Sequence, residues 1–167
     1  MIRSGGLLLA IALCGCSSGP DGDPARIANF EYRVPSGWSA RDASTAQHAA
    51  VDWAPSSNDR KESISVLLTT RRPAEAKAGL DHVARLLVAG QGGLHGRFGG
   101  PARFTTKHGL SGVRVEGEFV PPGQATAYHR IHAVLVDGET IVHVLYTARD
   151  VDRDGFELVV DSFQRGA

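Results

Sequence analysis

The chain is nearly without cysteine. Only Cys14 and Cys16 occur among its 167 residues, one residue apart and close to the N-terminus. A C-x-C pair with no other cysteine cannot supply four sulfur ligands to zinc. A cut that removed Cys14, with a lipid on Cys16, would leave no free thiol to form a disulfide. The fold must then rest on its core, and about 140 residues are enough for one domain with a sizeable interior. An excess of either charge is also missing: Lys and Arg number 18, and Asp and Glu number 18. The basic footprint of a nucleic-acid binder is therefore absent. No apolar run after Leu13 approaches the roughly 20 residues that span a bilayer as a helix. There is no G-x-S-x-G motif, no Ser-His-Asp set can be nominated, and no repeat recurs at a fixed period. No catalytic residue and no cofactor are expected.

What is present begins at the N-terminus. Arg3, the short apolar run Leu7–Leu13 and the small residues after it have the layout of a secretory signal. Leu13-Cys14-Gly15-Cys16 resembles a bacterial lipobox, with Gly15 before the cysteine that takes the lipid. Cys14 fits that role poorly, because bulky Leu13 would precede the cut. The expected organisation is a lipoprotein signal over residues 1–15, a lipidated Cys16 with a flexible tether over 16–27, and a single domain over 28–167. The resemblance implies a membrane partner reached through lipid on Cys16, several acyl chains anchoring where one is marginal. Ser17, rather than Asp, after the cysteine implies outer-membrane sorting, periplasmic side, in a host with two membranes.

Periodicity organises the rest. Phe30, Tyr32 and Val34 alternate with Glu31 and Arg33, as in a half-buried strand, and Pro35-Ser36-Gly37 predicts a turn. Ser39–His48 reads as a polar connection. Ala49, Val51 and Trp53 predict a second strand, and Ser63–Thr70 a third. Pro73, Glu75, Ala76, Leu80, Val83 and Leu87 predict a helix that stops at Gly90. Gly90–Gly100 follows a helix and leads into a strand, which is the wrong context for a phosphate-cradling loop, so it reads as a linker or lip. Gly112–Phe119 alternates cleanly. Ala127–Val136 and Thr140–Ala148 flank Asp137-Gly138, a strong hairpin signal. Phe156, Val159, Val160 and Phe163 predict a C-terminal amphipathic helix.

One constellation carries chemistry. A two-residue turn at Asp137-Gly138 sets His132 directly opposite His143, with Cβ atoms about 5 Å apart. Two imidazoles so placed are candidates for a metal or a small ligand, though two ligands alone do not complete a metal site. Trp38 and Trp53 are candidate walls of a ligand groove. Asp150, Asp152 and Asp154 alternate, but a calcium loop would place its closing glutamate at Asp161. Capping of the last helix is the better reading. Glu116 and Glu118 share a polar strand face and are expected to meet Arg130 or water.

Val34-Pro35-Ser36-Gly37-Trp38, the mid-chain helix, and a closing strand-connection-helix that ends in Ser162-Phe163 together resemble the PsbP-like, DcrB/LpqN-type group of small bacterial lipoproteins. The resemblance covers most of Phe30–Phe163. It implies an α+β fold: a central antiparallel sheet flanked by helices, an α/β/α sandwich. It also implies a non-enzymatic binding, assembly or chaperone-like role in the envelope, and it transfers no catalytic residues. The rival expectation is a metal- or small-ligand-binding lipoprotein that uses His132 and His143.

Overall fold

The computed structural model describes residues 22–57, 61–70, 78–91, 95–151 and 153–166. The lipobox with Cys16, the expected helix start at Pro73 and Glu75, Asp152, and the middle of the glycine-rich segment lie outside them.

Strands dominate the described residues, eleven against two helices. β1 (Asp23–Ile27), β2 (Phe30–Val34) and β11 (Gln164–Arg165) form a small antiparallel sheet with β2 at its centre. The large sheet is antiparallel throughout. It runs β3 (Trp38–Asp42), β4 (Ala50–Pro55), β5 (Ser63–Thr70), β10 (Thr140–Ala148), β9 (Tyr128–Asp137) and β8 (Ser111–Phe119). At its far edge β6 (Gly96–Phe98) and β7 (Ala102–Thr105) both pair with β8. Helix α1 is Gly79–Gln91 and α2 is Arg153–Ser162.

This arrangement corrects the expected architecture. The large sheet is not sandwiched between helical layers. One face is covered by the second sheet together with α2, which lies against β2, and the other face, among the described residues, by α1. The reason lies in β2. Phe30, Tyr32 and Val34 give it a single apolar face, and that face meets Val66, Val144, Tyr146 and their neighbours sheet to sheet. Phe163, just past α2, stacks on Tyr32 with ring centroids 4.5 Å apart. Each fully buried side chain of this kind contributes about 1.5–3 kcal/mol of transfer free energy.

Several local differences have equally local causes. Asp23–Ile27, placed in the tether by composition, pairs with β2 and buries Ile27. Pro24 is tolerated there because β1 is an edge strand. β3, read as polar connection, is also an edge strand: it turns Trp38 and Ala40 inward and leaves Ser39 and Arg41 exposed. The Pro35–Gly37 turn forms, with Gly37 at φ 80° and Trp38 N donating to Pro35 O at 3.3 Å. Gly90 does not end α1, which runs on to Gln91.

The glycine-rich stretch contributes strand β6, and its pairing explains Gly117. Phe98 lies directly opposite Gly117, and a Cβ there would stand 2.5 Å from the Phe98 ring. Phe104 covers Gly112 from the other face in the same way, at 2.6 Å. Each glycine of β8 thus makes room for an aromatic ring from the edge.

The hairpin register differs from expectation by two residues. Asp137 pairs with Thr140, so the turn residues are Gly138 and Glu139, not Asp137 and Gly138. Only Gly138 has positive φ, at 58°, which suits a turn with glycine first. Asp137 remains in the ladder, where Arg165 binds its carboxylate, with Nε donating to Oδ2 at 2.6 Å.

Candidate functional site

α1 is held to the large sheet by a narrow stripe. Val83 and Leu87, one turn apart, meet Val113, Val115, Val134 and Ile141. Beside that stripe lies a half-open cavity of about 500 Å³ between the helix and β9, β10 and β5. Its walls are mostly apolar, and Leu86, 60% exposed, stands among them. This is the size and character of a small-molecule site, for which about 300–1,000 Å³ is usual.

A hydrogen-bonded chain crosses the cavity from α1 to β5. Gln91 Nε2 lies 3.4 Å from His132 Nδ1. His132 Nε2 lies 3.2 Å from His143 Nδ1, and His143 Nε2 lies 3.1 Å from Thr69 Oγ1. The Gln91 amide nitrogen can only donate, so His132 Nδ1 accepts and its proton sits on Nε2. His143 then accepts at Nδ1 and donates from Nε2 to Thr69. Both rings are neutral in this arrangement. Burial first, then the electrostatic cost of a proton beside His143 and the Arg130 cation, hold His132 down at about 4. Burial, with a smaller contribution from His48, also lowers His143.

The structure therefore brings His132 and His143 together, but diagonally. His132 lies opposite Leu145, and His143 opposite Val134. A slip of two residues preserves the face, which is why the rings still meet. All four ring nitrogens are engaged in the chain. Among the described residues no group of three or more His, Cys, Asp or Glu is placed to hold a metal ion. Gln91, Thr69 and Arg130 were missed as members of this site. Their signal in sequence was only their face: Arg130 and His132 are two apart on one strand.

The tryptophans are elsewhere. Trp53 is buried in the core on the opposite face of the sheet and donates from Nε1 to Tyr32 Oη at 3.0 Å. Trp38 packs against the same core and borders a separate polar cleft beside α2. Neither reaches the histidines' face. Glu116 meets Arg153 at 2.6 Å and Arg114 at 3.4 Å, not Arg130, because Arg130 projects from the other face. His129, on the face away from His132, pairs with Glu118 at 3.4 Å.

No protein-family model matches the chain, and no curated protein matches it. Solved structures do. LpqN, involved in cell envelope biogenesis of Mycobacterium tuberculosis, is 14% identical with a TM-score of 0.58, over 89% of this chain and 87% of LpqN. A Bacteroides thetaiotaomicron protein is 10% identical with a TM-score of 0.56, over 83% of this chain. This chain spans only 46% of that protein's length. At these identities the likeness establishes a shared fold: a strand-rich, two-sheet domain of the LpqN kind. The LpqN part of the sequence resemblance is supported at that level, and the PsbP-like part is not shown. Among the described residues no helix is long and apolar enough to cross a membrane.

Proposed function

We propose that this chain is a lipid-anchored, extracytoplasmic binding module of the cell envelope. Cys16 tethers it, and the cavity beneath α1 takes up a small, largely apolar envelope molecule without chemical conversion. The observation that carries this reading is the cavity, an apolar chamber crossed by two neutral imidazoles hydrogen-bonded to each other. A general base needs a free lone pair directed at substrate; here each ring nitrogen already faces Gln91, Thr69 or the other ring. The lipobox-like Leu13–Cys16 supports the anchor, and the fold shared with an envelope-biogenesis protein supports the compartment. Among the described residues the metal half of the histidine reading has no third ligand to support it, and the small-ligand half is retained.

The test is made in intact envelopes with the full chain carrying a photo-crosslinking residue at Leu86. A crosslinked small molecule, identified by mass spectrometry and lost in Cys16→Ala, is the expected result. Crosslinks from a control position at Arg41 but none from Leu86 would overturn the cavity as the site. Unmodified residue 16 in the mature chain would overturn the anchor.

A further inference from the structure

Two buried polar atoms among the residues lining the α1 cavity have no hydrogen-bond partner: Arg130 Nε and Gln91 Oε1. The first is unusual. A buried donor left unmade costs about 1–3 kcal/mol, and more on a charged group. The Arg130 guanidinium lies over the Phe119 ring, 4.1 Å from its centroid. That contact attracts a cation but offers no acceptor to Nε. The acids of the neighbouring strand cannot serve, since Glu116 and Glu118 face the other side of the sheet and are held there by Arg153 and His129. Arg130 also has no carboxylate partner anywhere among the described residues.

The layout along β9 is graded. Arg130, His132 and Val134 succeed one another on one face, so charge, neutral imidazole and hydrocarbon follow in order over about 13 Å of strand. Val83, Leu86, Leu87, Ile141 and Leu145 extend the hydrocarbon part. Among the described lining residues Arg130 is the one arginine or lysine, and hydrocarbon from Val83, Leu86, Leu87, Val134, Ile141 and Leu145 makes up most of the exposed wall; such a cavity is complementary to a molecule with one negative end and a long apolar body. A dianion would exceed the one charge available, and a purely apolar ligand would leave the Arg130 guanidinium without an anion.

We propose that the cavity binds a single-chain amphiphile with an anionic head, a long-chain carboxylate, whose carboxylate accepts from Arg130 and whose chain lies under α1 against Val134 and Ile141. This rests on the cavity being the binding site, and it names the chemical class that enters.

The probes are palmitate, hexadecanol and acetate, each labelled with carbon-13 at its first carbon. They are presented to the full lipidated chain in nanodiscs of neutral phosphatidylcholine, with empty discs as the control. A protein-bound palmitate resonance is expected, with hexadecanol bound at least tenfold more weakly and acetate not at all. Arg130→Gln is expected to bring palmitate down to the level of hexadecanol and to leave hexadecanol unchanged. Leu86→Glu, at an exposed position where folding is not at risk, places a carboxylate among the cavity residues. It is expected to weaken palmitate at least threefold and hexadecanol not at all. Equal binding of palmitate and hexadecanol, or palmitate binding undiminished in both variants, overturns the anionic head but leaves a cavity that binds chains. Binding of neither overturns the ligand class, while the Leu86 crosslink in envelopes independently decides whether the cavity is a site at all.

Discussion

The two faces of the large sheet are finished in opposite ways. The face under the small sheet and α2 is dry and aromatic: Phe30, Tyr146, Phe156 and Phe163 are fully buried there, and Tyr32 stacks on Phe163. Among the described residues the face under α1 is closed chiefly by Val83 and Leu87, with Leu80, Ala84 and Phe98 at the margin, and the rest is cavity, histidines and an unpaired arginine nitrogen. The first face supplies stability. The second gives some of it up, since buried polar atoms and empty volume both cost free energy. Proteins concentrate such departures at sites of function.

Substitutions can break this contrast. Phe163→Ala removes a ring from the dry face and is expected to cost about 3–5 kcal/mol in chemical denaturation; a cost near 1 kcal/mol would mean that face is not tightly packed. Acid should act through the other face. His132 has its folded pKa lowered to about 4, whereas an unfolded histidine titrates near 6.5. Below about pH 6.5 the unfolded chain therefore binds a proton that the folded chain refuses. Its stabilising contribution is intact above that pH and is lost as pH falls toward 4, by about 3 kcal/mol in all. His132→Leu is expected to flatten this part of the stability–pH curve, and an unchanged slope would place the acid sensitivity elsewhere. Val83→Ala, beside an existing cavity, is expected to cost about 1.5 kcal/mol, the transfer value of two methyl groups. Its effect on palmitate binding should exceed that of Phe163→Ala at matched folded fraction. Arg41→Ala breaks the exposed Arg41–Asp52 pair at the sheet edge and is expected to change stability by under about 1 kcal/mol.

The parts that could be read from the sequence share one property. Strands β2, β5, β8, β9 and β10 and the end helix α2 each carry an apolar period strong enough to be seen within eight or ten residues. β1 and β3 do not, because an edge strand buries only one or two side chains and keeps polar residues outward. The site was half visible. His132 and His143 fall on one face by parity alone, which any even register preserves. Their partners were invisible, since Gln91 arrives from a helix 41 residues earlier and Thr69 from a strand 74 residues before His143. The tryptophans misled for a related reason: an aromatic residue at a strand position can serve a core or a groove equally well, and only the covering layer tells which.

Short-range chemistry in the chain decided the strand faces and the positive-φ turn at Gly138, because each depends on residues within a few positions of one another. Which layer covers each face of the large sheet is a contest between segments distant in sequence, β2 and β10 being more than a hundred residues apart. The assembled molecule alone could decide that β2 and α2 seal one side, while α1, fixed chiefly by Val83 and Leu87, leaves a half-open chamber on the other.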